Sequence, residues 1–197
     1  RVHATKQVVH FDTKSIRSQN AWVRGVNTYL SQEISVEEAV SVPIAFDARK
    51  SALSRRYIYL ISNRKNPQPL MSQYFAHESR YLDCDVMHEA GQNLLGENDF
   101  TSFRASNCQS LSPMRNLMEL TVSRIKDIVL IDITANAFLQ HMVRNISGAL
   151  IEVGLNRKPS SWLKELLHLK NRNLAARTAS PNGLFLVDVT YPKSMGI

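Results

Sequence analysis

The run Leu117-Met118-Glu119-Leu120-Thr121-Val122-Ser123-Arg124, the short connection Ile125-Lys126-Asp127, and Ile128-Val129-Leu130-Ile131-Asp132-Ile133-Thr134-Ala135 together predict two strands joined as a β-hairpin. Directly after it, Leu139, Met142, Val143, Ile146, Leu150 and Val153 recur at helical spacing as one apolar stripe, closed by Gly154. A hairpin followed by an amphipathic helix, and not strand–helix–strand alternation, argues for an α+β class and against a doubly wound parallel sheet.

Working outward, Leu53 to Asn63 reads as another strand, ended by Asn66-Pro67-Gln68-Pro69, which cannot continue a sheet. Asp83 is placed to cap a helix through Val86, Met87, Ala90 and Leu94, with Gly96 as its stop, and Glu97 to Pro113 reads as an irregular polar stretch. Pro159-Ser160-Ser161 opens a helix through Trp162, Leu163, Leu166 and Leu167; a short helix is expected over about Leu174 to Ala179, and a last strand over Leu184 to Thr190. Toward the start, Val2 to Phe11 and Ile34 to Val42 are strand-like, and Ser18 offers an N-cap for a helix carrying Trp22, Val23, Val26, Tyr29 and Leu30. Pro43 to Phe46 marks the expected domain boundary, dividing residues 1–45 from residues 46–197.

Hydrophobic residues make up 44% of the 197, enough for a sizeable core, and 24 Lys and Arg against 17 Asp and Glu give a net charge of +7. That balance favours a polyanionic partner bound through phosphate contacts. Two cysteines, Cys84 and Cys108, form neither a disulfide framework nor a four-ligand metal pattern, so a reducing, cytoplasmic setting is expected. No apolar run approaches the roughly 20 residues of a membrane span.

Strand alternation places Arg55, Tyr57 and Tyr59 on one face and Arg56, Ile58 and Leu60 on the other. A face with a guanidinium beside two aromatics suits unpaired RNA, where phosphate is held and exposed bases stack; a half-buried strand with core tyrosines is the plainer reading. On the helix, Arg144 groups with Gln140, Ser147 and Gly148, away from the apolar stripe, which for most arginines means water. Cys84 and His88 stand one helical turn apart, but no third and fourth ligand of matching spacing accompanies them, so no metal is expected. His3 and His10 have opposite strand parity and cannot share a ligand. There is no glycine-rich phosphate loop and no nucleophile elbow.

Three segments in order carry a family resemblance: Ser51 to Tyr59, Gly96 to Arg104 with Asn107 to Leu111, and Phe138 to Asn145. With Val2-His3-Ala4 leading to His10-Phe11, they resemble the bacterial tRNA pseudouridine synthase A family over nearly the whole chain, although Arg1 stands where that family usually has Gly. The resemblance implies a two-domain fold of antiparallel sheets flanked by helices, and isomerisation of uridine to pseudouridine at positions 38, 39 and 40 of the tRNA anticodon stem-loop. It implies no cofactor, a cytoplasmic homodimer, and Tyr57 packed on the target uracil. Arg144 is expected to pair with the family's catalytic aspartate, which the pattern places two residues before Arg1; the 197 residues alone are then expected to bind tRNA weakly and to be inactive. The tRNA-contacting positions it implies are Arg17, Phe46, Asp47, Ala48, Arg49, Lys50, Arg55, Lys65, Asn107, Cys108, Gln109, Ser110 and Leu111, with Asp47 and Lys50 departing from the family's Phe-His-Ala-Arg-Phe. Read without the resemblance, the same features fit a non-catalytic RNA-binding module.

Overall fold

The structure is a computed structural model, and it describes residues 2–197. The chain divides into two compact units: residues 1–7 with 53–190, and residues 8–52 with 191–197.

The larger unit is built on a mostly antiparallel sheet of seven strands among the described residues: β1 (His3–Ala4), β2 (Ser54–Ser62), β3 (Ala76–His77), β4 (Gly96–Asp99), β5 (Met114–Ile125), β6 (Ile128–Ala135) and β7 (Leu184–Thr190). Their order is β1-β7-β2-β6-β5-β4, with the short β3 beside the end of β2. The expected hairpin forms as β5 and β6, turning at Lys126, whose φ is 54°. The α+β class holds.

Three helices belong to this unit: α2 (Cys84–Gln92), α3 (Met142–Gly154) and α4 (Trp162–Leu169), while α1 (Gln19–Asn27) lies in the smaller one. The Asp83 carboxylate accepts from the Asp85 and Val86 amides, as its position before the apolar run required. The core gathers Tyr59 and Ile61 from β2, Leu117 and Leu120 from β5, Val129, Ile131 and Ile133 from β6, and Met142, Val143, Ile146, Leu150 and Val153 from α3. Fully burying an aliphatic side chain contributes about 1.5–3 kcal/mol. The α3 stripe therefore outweighs the cost of burying Asn145 and Ser147 on the same helix, provided that both are hydrogen-bonded.

In the smaller unit, the Ser18 hydroxyl caps α1 by accepting from the Ala21 amide. Phe46 is buried, 5.2 Å from the Tyr191 ring and 6.1 Å from His10, and the Tyr191 hydroxyl donates to the Ala48 carbonyl.

Three sequence expectations are corrected. Of Val2 to Phe11, only His3–Ala4 is a strand, paired in parallel with β7; the Thr5 amide adds one bond to the Leu186 carbonyl, and beyond it β-branched composition without a neighbouring strand makes no ladder. Ile34 to Val42 is not a strand either, because the Asn27 side chain satisfies both backbone groups of Val36 and takes the place of a partner strand. The helix expected over Leu174 to Ala179 is a single 3₁₀ turn at Arg172–Leu174 followed by irregular backbone, whose Ala176 and Ala179 carbonyls accept from the Arg172 and Arg144 side chains. Within Glu97 to Pro113, part of the polar stretch is ordered as β4 and a 3₁₀ turn at Thr101–Phe103.

Candidate active site

β2 carries Arg55, Tyr57 and Tyr59 on one face, as the alternation implied, and their surroundings separate the two tyrosines. Tyr59 is fully buried, and its hydroxyl donates to the Ser180 carbonyl at 2.8 Å. Tyr57 is half-buried, its ring set edge-on to Phe138 at 5.1 Å, and its hydroxyl has no hydrogen-bond partner among the described residues. Phe138 begins the turn that leads into α3, so β2 and the start of α3 jointly place the Tyr57 ring.

Arg144 lies in the first turn of α3 and is half-buried. Its Nε–H donates to the Ala179 carbonyl at 2.7 Å, while the Ala179 amide donates back to the Arg144 carbonyl at 3.2 Å. Tyr59 and Arg144 thus bind consecutive carbonyls of one segment, and Tyr57 stands one two-residue strand step, roughly 7 Å, from Tyr59. The arginine that a helical wheel assigns to water is instead held against 176–180. Close approach at Gly148 permits this, since a Cβ there would collide with the Arg177 carbonyl oxygen.

A buried polar network fixes that segment. Asn145 is fully buried; its amide donates to the Phe103 carbonyl at 2.7 Å, and its Oδ1 accepts from the Thr178 hydroxyl at 2.7 Å and from Arg172 Nη2 at 3.1 Å. Arg172 also donates to the Ala176 carbonyl, and burial lowers its pKa. The Gly96–Arg104 run supplies the other half: Asp99 accepts from Thr101 and pairs with Lys170 at 3.1 Å, and the Ser102 hydroxyl accepts from the Asn171 amide. A stretch that composition reads as loop is a scaffold for α3. At the helix start His141 adopts φ 61°, a left-handed conformation costing roughly 1–2 kcal/mol for a residue with a Cβ. The turn before it lets Gln140 bond both ways to residues 105–108: its carbonyl accepts from Ala105 N, and its amide donates to Cys108 Sγ.

Burial raises the pKa of Tyr57, with the Arg55 charge pulling the other way; burial pushes Tyr59 much further above its usual range, against the pull of Arg144. Both are therefore neutral O–H donors at physiological pH. The contribution of a buried neutral Tyr59 to stability is complete below the unfolded-state value of 10.0 and is lost as pH rises above it, because the unfolded chain ionises while the native one does not. Unfolding free energies from urea titrations between pH 9 and pH 12 are expected to fall with a slope approaching 1.4 kcal/mol per pH unit from this group, and less steeply in Tyr59→Phe. Equal slopes in the two proteins would refute the assignment.

The other sequence-derived positions fall in both units. Arg55 Nη1 donates to the Asn136 carbonyl at 2.8 Å; Lys65 is exposed in the loop after β2. Asn107 and Gln109 are exposed, Cys108 is buried, the Ser110 hydroxyl accepts from Arg115, and Leu111 is fully exposed. In the smaller unit the Arg17 guanidinium lies 5.6 Å from the Trp22 ring centroid, and Arg49 and Lys50 are exposed. Asp47 accepts from the Arg49 and Lys50 amides, whose hydrogen bonds hold its carboxyl below the usual range. Cys84 and Cys108 are free thiols, and the described residues hold no group of three or more potential metal ligands. No described helix is long and apolar enough to cross a membrane.

Comparison with known proteins fixes the family. Residues 90–192 match the profile described as tRNA pseudouridine synthase. The tRNA pseudouridine synthase A of Legionella pneumophila (strain Corby) is 52% identical over 196 residues, covering 100% of this chain and 75% of the relative. That of Shewanella sp. (strain MR-4) is 53% identical over 192 residues, with 98% and 74% covered, and that of Shewanella amazonensis is 50% identical over 196 residues. The chain belongs to the tRNA pseudouridine synthase family. Members of this family isomerise uridine to pseudouridine in tRNA. Sequence reading named Tyr57 and Arg144 as candidates, but not Arg172 and Thr178, which brace Asn145, nor the carbonyls of Ala179 and Ser180, which accept from Arg144 and Tyr59. The quoted motifs already contained Asn145 and Phe138, so the signal for those two was present and unassigned.

Proposed function

We propose that Tyr57 and Arg144 serve the isomerisation directly, with tRNA uridines 38, 39 and 40 of the anticodon stem-loop as substrates. The observation that carries this reading is the asymmetry of the two tyrosines: one hydroxyl is tied off on Ser180, the other has no partner among the described residues. In the reaction the N1–C1′ bond breaks, the uracil turns, a C5–C1′ bond forms, C5 gives up its proton to a base or to solvent, and N1 takes one up. The base must first leave the stack, which costs a few kcal/mol and is offset by stacking and phosphate contacts. Tyr57 supplies an apolar ring against the uracil and a neutral hydroxyl near C5. The aspartate of the family signature must be ionised whether it acts as nucleophile or as base, and a guanidinium beside a carboxylate favours that form. Arg144 has a planar fork suited to the task.

The exposed Arg49, Lys50 and Lys65, together with Arg17, Phe46, Asp47, Ala48, Arg55 and residues 107–111, are assigned to tRNA contact, and the protein to a cytoplasmic homodimer acting without a cofactor or metal. In protein carrying the signature aspartate, Tyr57→Phe is expected to lower turnover about a hundredfold, with tRNA affinity changed less than twofold. A loss confined to affinity would refute the role.

A further inference from the structure

Three guanidinium groups gather where β2, β5 and the loop from Arg104 to Pro113 meet. Arg115, half-buried on β5, donates through Nη1 to the Ser112 carbonyl at 3.0 Å and through Nη2 to the Ser110 hydroxyl at 2.7 Å. Its Nε–H is buried with no hydrogen-bond partner. Arg104 Nη2 donates to the Cys108 carbonyl at 2.7 Å, and Arg55 reaches the Asn136 carbonyl. Strand register explains the meeting: Arg55 and Leu117 both pair with Ala135, so Arg115 begins the next row of the sheet. Burial lowers the pKa of Arg115; Cys108 works against this, and the charges of Arg104 and Arg55 add to it. No carboxylate figures among the groups acting on it.

The charges of Arg104 and Arg115, bonded to neutral carbonyls and a hydroxyl, repel one another in a partly dry site where the repulsion is strong. An anion with several oxygens removes the repulsion and matches the guanidinium forks. The two sides of the site point to its source: Arg55 shares a face with Tyr57 two residues along β2, so the anion lies within one nucleotide of the base that Tyr57 receives. We propose that Arg104 and Arg115, with Arg55, form a phosphate-binding site for the RNA backbone next to the target uridine. This rests on RNA being the substrate of the Tyr57 site, but not on the chemical role of Tyr57. The contact would offset part of the cost of extruding the base.

The test measures binding of an anticodon stem-loop oligonucleotide by the 197-residue chain as a function of KCl. Arg104→Gln and Arg115→Gln are each expected to weaken binding about tenfold and to reduce the slope of log K against log salt by about 0.7–0.9, with Arg115→Lys restoring most of that slope. Arg104→Gln keeps the test valid if Arg115→Gln does not fold, which circular dichroism reports. An uncharged methylphosphonate at the phosphate flanking the target uridine should weaken the wild type and add nothing to Arg104→Gln. Unchanged salt slopes in folded variants, additive losses with the methylphosphonate, or no binding by the wild type at low salt would each overturn the proposal. Displacement of the RNA by inorganic phosphate at micromolar concentration would also overturn it, by making free phosphate the ligand. Because the readout is binding, a silent Tyr57→Phe in the turnover assay leaves this result standing, and the reverse holds equally.

Discussion

Asn145→Ala is expected to lower the unfolding free energy by about 3–5 kcal/mol, read as a shift in urea midpoint at constant slope. The side chain is fully buried and makes three bonds, to Phe103, Thr178 and Arg172. Truncation leaves the Phe103 carbonyl without this donor and the Thr178 O–H without its acceptor, although Arg172 still donates to that hydroxyl, and it deprives a half-buried guanidinium of one acceptor. Each unsatisfied neutral group costs about 1–3 kcal/mol, and a charge stripped of a buried partner costs more. Asn145→Asp is the informative contrast. It keeps the acceptor for Arg172 and Thr178, with a charge that Arg172 matches, and exchanges the donor to Phe103 for an oxygen facing that carbonyl, so it should cost less than Asn145→Ala. Equal losses in the two variants would mean that the bond to Phe103, lost in both, carries the whole effect, and would refute the share assigned to Thr178 and Arg172.

Local periodicity was enough for the elements that bury a continuous face. The β5–β6 hairpin needed only two β-rich runs and a short turn, and α3 needed only its stripe, because each solves its own hydrogen bonding and presents one apolar surface. Val2 to Phe11 and Ile34 to Val42 misled because strand composition is no guarantee of a partner: a ladder is a long-range fact, and Asn27 could replace it at Val36 with a single amide. The stretch after Arg172 misled as well: its Ala176 and Ala179 carbonyls accept from the Arg172 and Arg144 side chains, partners that local periodicity does not show.

The site was legible to the same depth. Parity placed Arg55, Tyr57 and Tyr59 on one face, yet nothing along β2 tells which hydroxyl meets Ser180, over a hundred residues away. Arg104 and Arg115 were likewise invisible as a pair with Arg55, because their meeting depends on the register of three strands. Arg144 lay on the polar side of its wheel, and the wheel is blind to a segment that folds back over that side through the opening at Gly148.

The largest functional loss is expected at Arg144. In protein carrying the signature aspartate, Arg144→Gln should lower kcat about a thousandfold while KM changes only a few-fold, the pattern of an interaction whose benefit falls on the reacting state. Glutamine can still donate to the Ala179 carbonyl, so the fold of the 176–180 segment should persist and the unfolding free energy should change by less than about 1 kcal/mol. What it cannot supply is charge. With Nε engaged by Ala179, the Nη pair is the part of Arg144 left to meet a carboxylate, and removing one member of a partly buried ion pair costs about 3–5 kcal/mol, or roughly two to four powers of ten in rate. Arg144→Lys retains the charge without the fork and should lose about a hundredfold. The pH profile separates this from misfolding. Loss of the cation raises the carboxylate's pKa, so in Arg144→Gln the acid limb of kcat should move to higher pH, whereas a merely unfolded fraction would lower the whole profile without moving it.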